Sequence, residues 1–335
     1  MIAGLRFTKL DQVTIMLLKL ASFRSAITFN GQRKRLVRLL NENYQLANSL
    51  TSIAVVVLLI SGLIASAHAQ STSAGFAEIN GTRLYYEQMG KGGAIVLVHG
   101  GLVDSRLWDD QFKEFGKHYR VIRYDLRGFG KSAAPTGSFS PIEDLRALLS
   151  FLKVEHAILV GSSLGGIIAT DLALEYPQTV EGLVLVGSAL RGDKRPPDSQ
   201  MAAIYQTAMR DGAETYAAKM MGTPLLAGVR NNPLVRSRML QMLIDNHKAL
   251  ASLGPKITTF PQRLTIDRLD MVRARTLVIV GSEDHPDLRA IADILYTRIP
   301  GARRVVIEGA SHHPNIEQPK KFNRIVLSFL RKRRN

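Results

Sequence analysis

Apolar residues in this chain fall into short unbroken runs, separated by longer segments in which they recur every three or four positions. Ala94–Val98, Ala157–Val160, Gly182–Val186 and Thr276–Val280 are continuous and rich in Val, Leu and Ile. Such runs predict strands buried on both faces. Arg120–Tyr124 and Arg304–Ile307 read as two more strands, and Phe76–Tyr86 alternates around Asn80-Gly81, the signature of a tight hairpin. Helical spacing predicts helices over Ile142–Leu152, from Ile167 to Leu174, and over Asp287–Arg298 and Glu317–Lys332. Buried strands alternating with helices predict an α/β fold, a mostly parallel doubly wound sheet. The pattern breaks between about Leu190 and Leu269, where Met201, Ile204, Tyr205, Ala208, Met209, Met239, Met242 and Leu243 keep helical spacing without a strand-like run. That stretch reads as a helical cap inserted into the core; methionine stripes of this kind are more often plain core than a ligand surface, though flexible methionines also suit a face over a pocket. The domain bounds this pattern implies are 76–189 for the first part of the core, 190–269 for the cap and 270–335 for the second part.

The N-terminal region has a different character. Residues 1–48 form a basic extension with eight Lys/Arg and two Asp/Glu, about +6 of the chain's formal +16. Ile53–Ala67 is an uncharged apolar run of 15 residues that leads into Ala67-His68-Ala69, small residues at the −3 and −1 positions of a signal-peptidase site. It is short for a spanning helix, which needs about 20 apolar residues. Residues 49–69 therefore read as a signal peptide or a membrane anchor, with export and cleavage after Ala69 as the favoured expectation. Any membrane partner is expected only through this segment, if it stays uncleaved. Elsewhere the positive charge is spread without interleaved aromatics, as on a solvated surface, and no nucleic-acid partner is expected. Arg331-Lys332-Arg333-Arg334 reads as a favourable basic end to a final helix. The chain has no Cys, which excludes disulfides and thiolate chemistry.

Candidate chemistry centres on Gly161-Ser162-Ser163-Leu164-Gly165. Strand, G-x-S-x-G and helix together are the context of a nucleophile elbow, whose turn is so tight that only Gly fits two residues either side of the serine. An alcohol needs a base within hydrogen-bond reach, and that base needs an orienting anion. Two later strands end in such groups: Gly281-Ser282-Glu283-Asp284 and Glu308-Gly309-Ala310-Ser311-His312-His313. Ser163, Asp284 and His312 are the candidates, at the carboxyl ends of three parallel strands where open α/β sheets hold their ligands. Glu283 and Asp287 rival Asp284, and His313 rivals His312. The two adjacent histidines are expected to diverge, and no metal site or cofactor is expected.

With these motifs the chain resembles the α/β-hydrolase fold enzymes, most closely beta-ketoadipate enol-lactone hydrolases and small carboxylesterases. The resemblance spans about 76–335 and rests on His99-Gly100-Gly101 with Trp108 downstream, Tyr124 to Ser132, Gly161–Gly166, Gly281–Asp284, and Gly309–His312 followed by Glu317-Gln318-Pro319. It implies Asp284 as the acid, His312 as the base and the backbone N–H groups of Gly101 and Leu164 as an oxyanion hole. It also implies structural roles for His99 and the Asp125–Arg127 loop, and packing for Trp108. His313 stands where the family usually has an apolar residue. Relatives with an Asp nucleophile are set aside because residue 163 is Ser. The expected activity is serine hydrolysis of a small ester or lactone substrate. A C–C bond hydrolase of the meta-cleavage type and a cofactor-free perhydrolase are the alternatives, with a non-enzymatic binding protein behind them.

Overall fold

The computed structural model describes residues 72–195, 210–249 and 257–331, together with Arg38, Ala203, Ile204 and Gln206. The backbone divides into two units, Met1–Ala69 and Gln70–Asn335. All the strands and helices named below belong to the second unit. The basic extension, the apolar segment, Met201, Tyr205, Ala208, Met209 and Lys332–Arg334 lie outside the described residues.

The second unit opens with strand β1 (Thr72–Ile79) and strand β2 (Thr82–Met89), joined at Asn80 and Gly81. Both turn residues have positive φ, 46° and 65°, the requirement of the two-residue turn that Asn-Gly favours. Strand β3 (Ala94–Val98) leads through Trp108 to helix α1 (Asp109–Gly116) and strand β4 (Arg120–Tyr124). Helix α2 (Pro141–Phe151) is capped by the Ser140 hydroxyl and precedes strand β5 (Ala157–Ser162), helix α3 (Leu164–Glu175) and strand β6 (Val180–Val186). The insertion holds helices α4 (Ala213–Met221), α5 (Ala227–Arg230) and α6 (Pro233–Asp245). The core resumes with strand β7 (Arg275–Gly281), helix α7 (Pro286–Arg298), strand β8 (Arg303–Ile307), and helices α8 (Pro314–Glu317) and α9 (Pro319–Arg331). The helix predicted over Glu317–Lys332 forms as α9 and starts at Pro319. Pro319 disfavours helical backbone at the residue before it, and Gln318 sits at φ −133°, ψ 61°.

Among the described residues, eight strands form one sheet in the order β1-β2-β4-β3-β5-β6-β7-β8. β1 pairs antiparallel with β2, and β2 with β4; every pairing from β4 to β8 is parallel. The expected mostly parallel α/β sheet is what forms. The chain runs from β3 to β4 on one side and returns to β5 on the other, so the loops leaving β3 and β5 part at a topological switch point. Apolar clusters fill both faces, one around Leu159, Ile168 and Leu172 and the other around Trp108, Phe115 and Phe322.

The hairpin turn is tied to the core by charge. Arg127 places Nε 2.8 Å from Asp144 Oδ2 and Nη2 2.6 Å from Asp144 Oδ1, and Nη2 also donates to the Asn80 carbonyl. Both partners of this pair are buried, so removing one strands the other charge in the interior. Arg127→Leu is expected to lower unfolding free energy by about 3 kcal/mol in urea titrations, whereas Arg146→Ala, which removes an exposed pair with Glu143, is expected to cost less than about 1 kcal/mol. Equal losses would contradict this reading.

Candidate active site

Ser163 sits between β5 and α3 with φ 52° and ψ −114°, one of three non-glycine residues with positive φ among those described. Such backbone costs about 1–3 kcal/mol and persists only where its surroundings enforce it. Close packing does so here. A Cβ on Gly161 would lie 2.3 Å from the Gly165 carbonyl oxygen, and one on Gly165 would lie 2.2 Å from that of Val98. The elbow is further held by Ser163 N–H donating to the Val186 carbonyl at 3.0 Å, and by Gly166 and Ala189 N–H groups donating to the Ser163 carbonyl.

His312 leaves the loop after β8 and Asp284 the loop after β7. His312 Nδ1 lies 3.2 Å from each Asp284 carboxylate oxygen, and both residues are only 3 % exposed. The Asp284 carboxylate also accepts the His285 N–H at 2.8 Å. Gly187, at the end of β6 with φ 47°, makes room for this pair: a Cβ there would stand 2.9 Å from His312 Nδ1. Glu283, the rival acid, is exposed, and its backbone N–H donates to the Ala310 carbonyl. Asp287 lies at the start of α7 within hydrogen-bonding range of His285.

Ser163 and His312 line one cavity of about 490 Å³, shared with Gly101, Leu164 and His313. The N–H groups of Gly101 and Leu164 donate to no group among the described residues. The Gly100-Gly101 turn is braced by His99, whose Nε2 accepts the Leu126 N–H at 2.9 Å while Nδ1 lies 2.7 Å from the Gly100 carbonyl. That pattern puts the His99 proton on Nδ1, and burial pushes its pKa down, keeping the ring neutral. His99 is thus spent on shape. Asp125 is spent likewise, accepting from the Ser105 and Lys131 N–H groups, and fully buried Trp108 packs against Phe322.

The methionines take the core role that such stripes more often have: Met220, Met239 and Met242 are fully buried with Leu226 and Val229, and among the described residues no methionine lines the cavity. Thr223, Pro224 and Leu225 cover the cavity instead. One expectation needs correction: His312 and His313 do not diverge. Their ring centroids are 4.7 Å apart at 58°, because the chain bends here into α8, with His313 at φ −117° and ψ 61°, and both rings line the cavity.

Glu317 carries more than its place in a motif conveys. Its carboxylate accepts the Ser311 N–H at 2.6 Å, the Ser311 hydroxyl at 2.7 Å and the His313 N–H at 2.9 Å, gripping the residues on both sides of His312. The Gly228 N–H of the cap donates to the same Ser311 hydroxyl at 3.1 Å. A capping carboxylate six residues past Ser311 is a local signal, but only the fold shows what it holds.

The pattern of the Alpha/beta hydrolase family matches residues 95–325. The chain belongs to this family. A 2-hydroxy-6-oxononadienedioate/2-hydroxy-6-oxononatrienedioate hydrolase of Burkholderia vietnamiensis is 30 % identical to this alpha/beta hydrolase over 285 residues, covering 79 % of the chain and 98 % of the relative. Among solved structures, the enol-lactonase of Burkholderia xenovorans LB400 has a TM-score of 0.68 and 28 % identity, with 77 % of this chain and 100 % of that one covered. A thermophilic esterase of Thermogutta terrifontis has a TM-score of 0.66 and 27 % identity, with 78 % and 98 % covered. Hydrolases of this family thus surround the chain in both sequence and structure.

Buried neutral histidines make the fold acid-sensitive. Burial and neighbouring His312 hold the His313 pKa well below 6.5, and burial lowers that of His99. Below the unfolded value of about 6.5 the unfolded chain binds more protons than the folded one, so stability falls with pH through that point toward the depressed folded values. Each ring contributes at most about 1.4 kcal/mol per pH unit. Urea titrations between pH 6.5 and 5 are expected to give a shallower loss for His313→Leu than for the parent; equal slopes would contradict it.

Proposed function

We propose that the protein is a serine hydrolase of small, uncharged ester or lactone substrates, with Ser163 as nucleophile, His312 as base and Asp284 as its orienting acid. The observation that carries this reading is a strained serine and an Asp-paired histidine facing one cavity. Ser163 Oγ attacks the acyl carbon while His312 Nε2 takes its proton. Asp284 holds the Nδ1–H tautomer and stabilises the imidazolium. The N–H groups of Gly101 and Leu164 receive the developing oxyanion, a role typically worth about 10²–10³ in rate for each donor. His312 then protonates the leaving alkoxide. Water, deprotonated by the same imidazole, attacks the acyl-enzyme, and collapse of the second tetrahedral intermediate returns Ser163 with its proton.

The names of the enol-lactonase and the esterase support the choice of substrate class. The Burkholderia vietnamiensis relative brings a second reading, C–C bond hydrolysis, in which the same serine and histidine would act on a dienedioate. The cavity favours the first. Its described lining includes Asp287 and neither Lys nor Arg, and the Arg195 guanidinium 4.0 Å from Asp287 is already opposed by that carboxylate and by Asp193, so a dicarboxylate finds little counter-charge.

Kinetics on p-nitrophenyl acetate test the assignment. Ser163→Ala and His312→Ala are expected to lower kcat by about 10⁴–10⁶ with the fold intact by circular dichroism. Asp284→Asn is expected to lower it by up to about 10⁴, while Glu283→Gln changes it little. Retention of most activity by Ser163→Ala would overturn the mechanism, and a more damaging Glu283→Gln would move the acid by one residue.

We also propose that the chain is exported by its apolar segment with cleavage after Ala69. The A-x-A sequence supports this, and the boundary between the two structural units falls after the same residue. N-terminal sequencing from the native host is expected to give Gln70 in a soluble extracytoplasmic fraction. An intact chain in the membrane fraction would replace cleavage by anchoring, and an intact cytoplasmic chain would overturn both.

A further inference from the structure

His313 has no task in the chemistry above, yet its imidazole is buried and lines the cavity next to His312. Its Nδ1 is buried with no hydrogen-bond partner. A buried polar atom left unpaired is costly, and the cost is greater for an N–H than for a ring nitrogen lone pair shielded among apolar neighbours. The proton therefore belongs on Nε2. Burial and the adjacent His312 keep the ring neutral, so what it offers the cavity is one N–H donor without a charge.

The rest of the lining narrows what that donor can meet. Leu102, Val103, Ile167 and Leu225 make most of the wall apolar. The Thr223 hydroxyl is already donated to the Met220 carbonyl at 2.7 Å. Asp287, also on the lining, stands 4.0 Å from Arg195, so the pair leaves no net positive charge there for an anion. A neutral donor in an apolar wall, with neither Lys nor Arg among the described lining residues, selects an uncharged acceptor.

We propose that His313 is a specificity-determining residue whose imidazole N–H recognises a second carbonyl oxygen, keto or amide, on an uncharged ester or lactone substrate. This rests on the hydrolase reading of Ser163, and it narrows that reading from small esters at large to oxo- or amido-substituted ones. A substrate lacking the second carbonyl leaves the His313 donor unpaired against an apolar wall, which is how a polar group in a pocket discriminates by more than size.

Matched p-nitrophenyl esters test it: 4-oxopentanoate against 4-methylpentanoate, and 5-oxohexanoate against 5-methylhexanoate, in which a methyl group replaces the carbonyl oxygen. The full chain is assayed alongside His313→Leu, His313→Gln and Ser163→Ala. The parent is expected to favour the oxo member of at least one pair by about tenfold in kcat/KM, one hydrogen bond's worth. His313→Leu is expected to abolish or reverse that ratio, and His313→Gln, which keeps an N–H, to retain part of it. A parent that hydrolyses both members equally, or a ratio unchanged in His313→Leu, would overturn the inference and leave the hydrolase reading standing. Should His313→Leu fail to fold, the parent ratio and the Gln variant decide. Hydrolysis of either ester no faster than by Ser163→Ala would overturn the hydrolase reading and this inference with it.

Discussion

The Ser163 backbone is the constraint on which the rest of the site depends. Holding a serine at φ 52° requires the strand before it and the helix after it to approach more closely than any Cβ permits. Gly161 and Gly165 supply that approach, the first against the elbow's own backbone and the second against the end of β3. The strain is sustained by a sheet buried on both faces, with β5 flanked in parallel by β3 and β6. Because all these strands run the same way, the loops leaving β3, β5, β6, β7 and β8 emerge at one edge. Ser163, the Gly100-Gly101 turn, Asp284 and His312, far apart in sequence, are thereby delivered to one place.

Delivery is not enough, since loops are the mobile part of a fold and a base must be held to within a fraction of an ångström. Buried hydrogen bonds supply the stiffness. His99 ties the Gly100-Gly101 turn to Leu126, and Glu317 clamps the backbone either side of His312. The cap joins the same frame: Asn246 bridges Asp104 and Gly130 at 2.8 and 2.7 Å, and Gly228 reaches Ser311. One hydroxyl, that of Ser311, thus joins the insertion to the histidine loop.

The strand cores were legible because an apolar run with Gly, Pro or Asn-Gly at its ends has few alternatives, and strand ends followed by Ser, Asp and His pointed to the site. What was not legible depends on distance in space. Periodicity marks methionines as buried but cannot say whether they face the cap's interior or the cavity; Met220, Met239 and Met242 take the interior. Adjacent side chains diverge in a strand, and His312-His313 is a turn, so both rings reach the cavity. Periodicity also set the start of the last helix at Glu317, two residues before Pro319, where α9 begins. Glu317 stood in view as part of a motif, while its grip on Ser311 and His313 required the turn into α8 to be seen. The apolar segment before Gln70 is read from sequence alone.

The proposed mechanism stands or falls on covalent acylation of Ser163. Mass spectrometry of the chain, acid-quenched during turnover of a slowly deacylating p-nitrophenyl ester and digested, tests it most directly. The mechanism predicts one acyl adduct on the peptide containing Ser163, forming with the burst of p-nitrophenol and absent from Ser163→Ala. Steady hydrolysis with no adduct, or an adduct on another residue that survives Ser163→Ala, would contradict it.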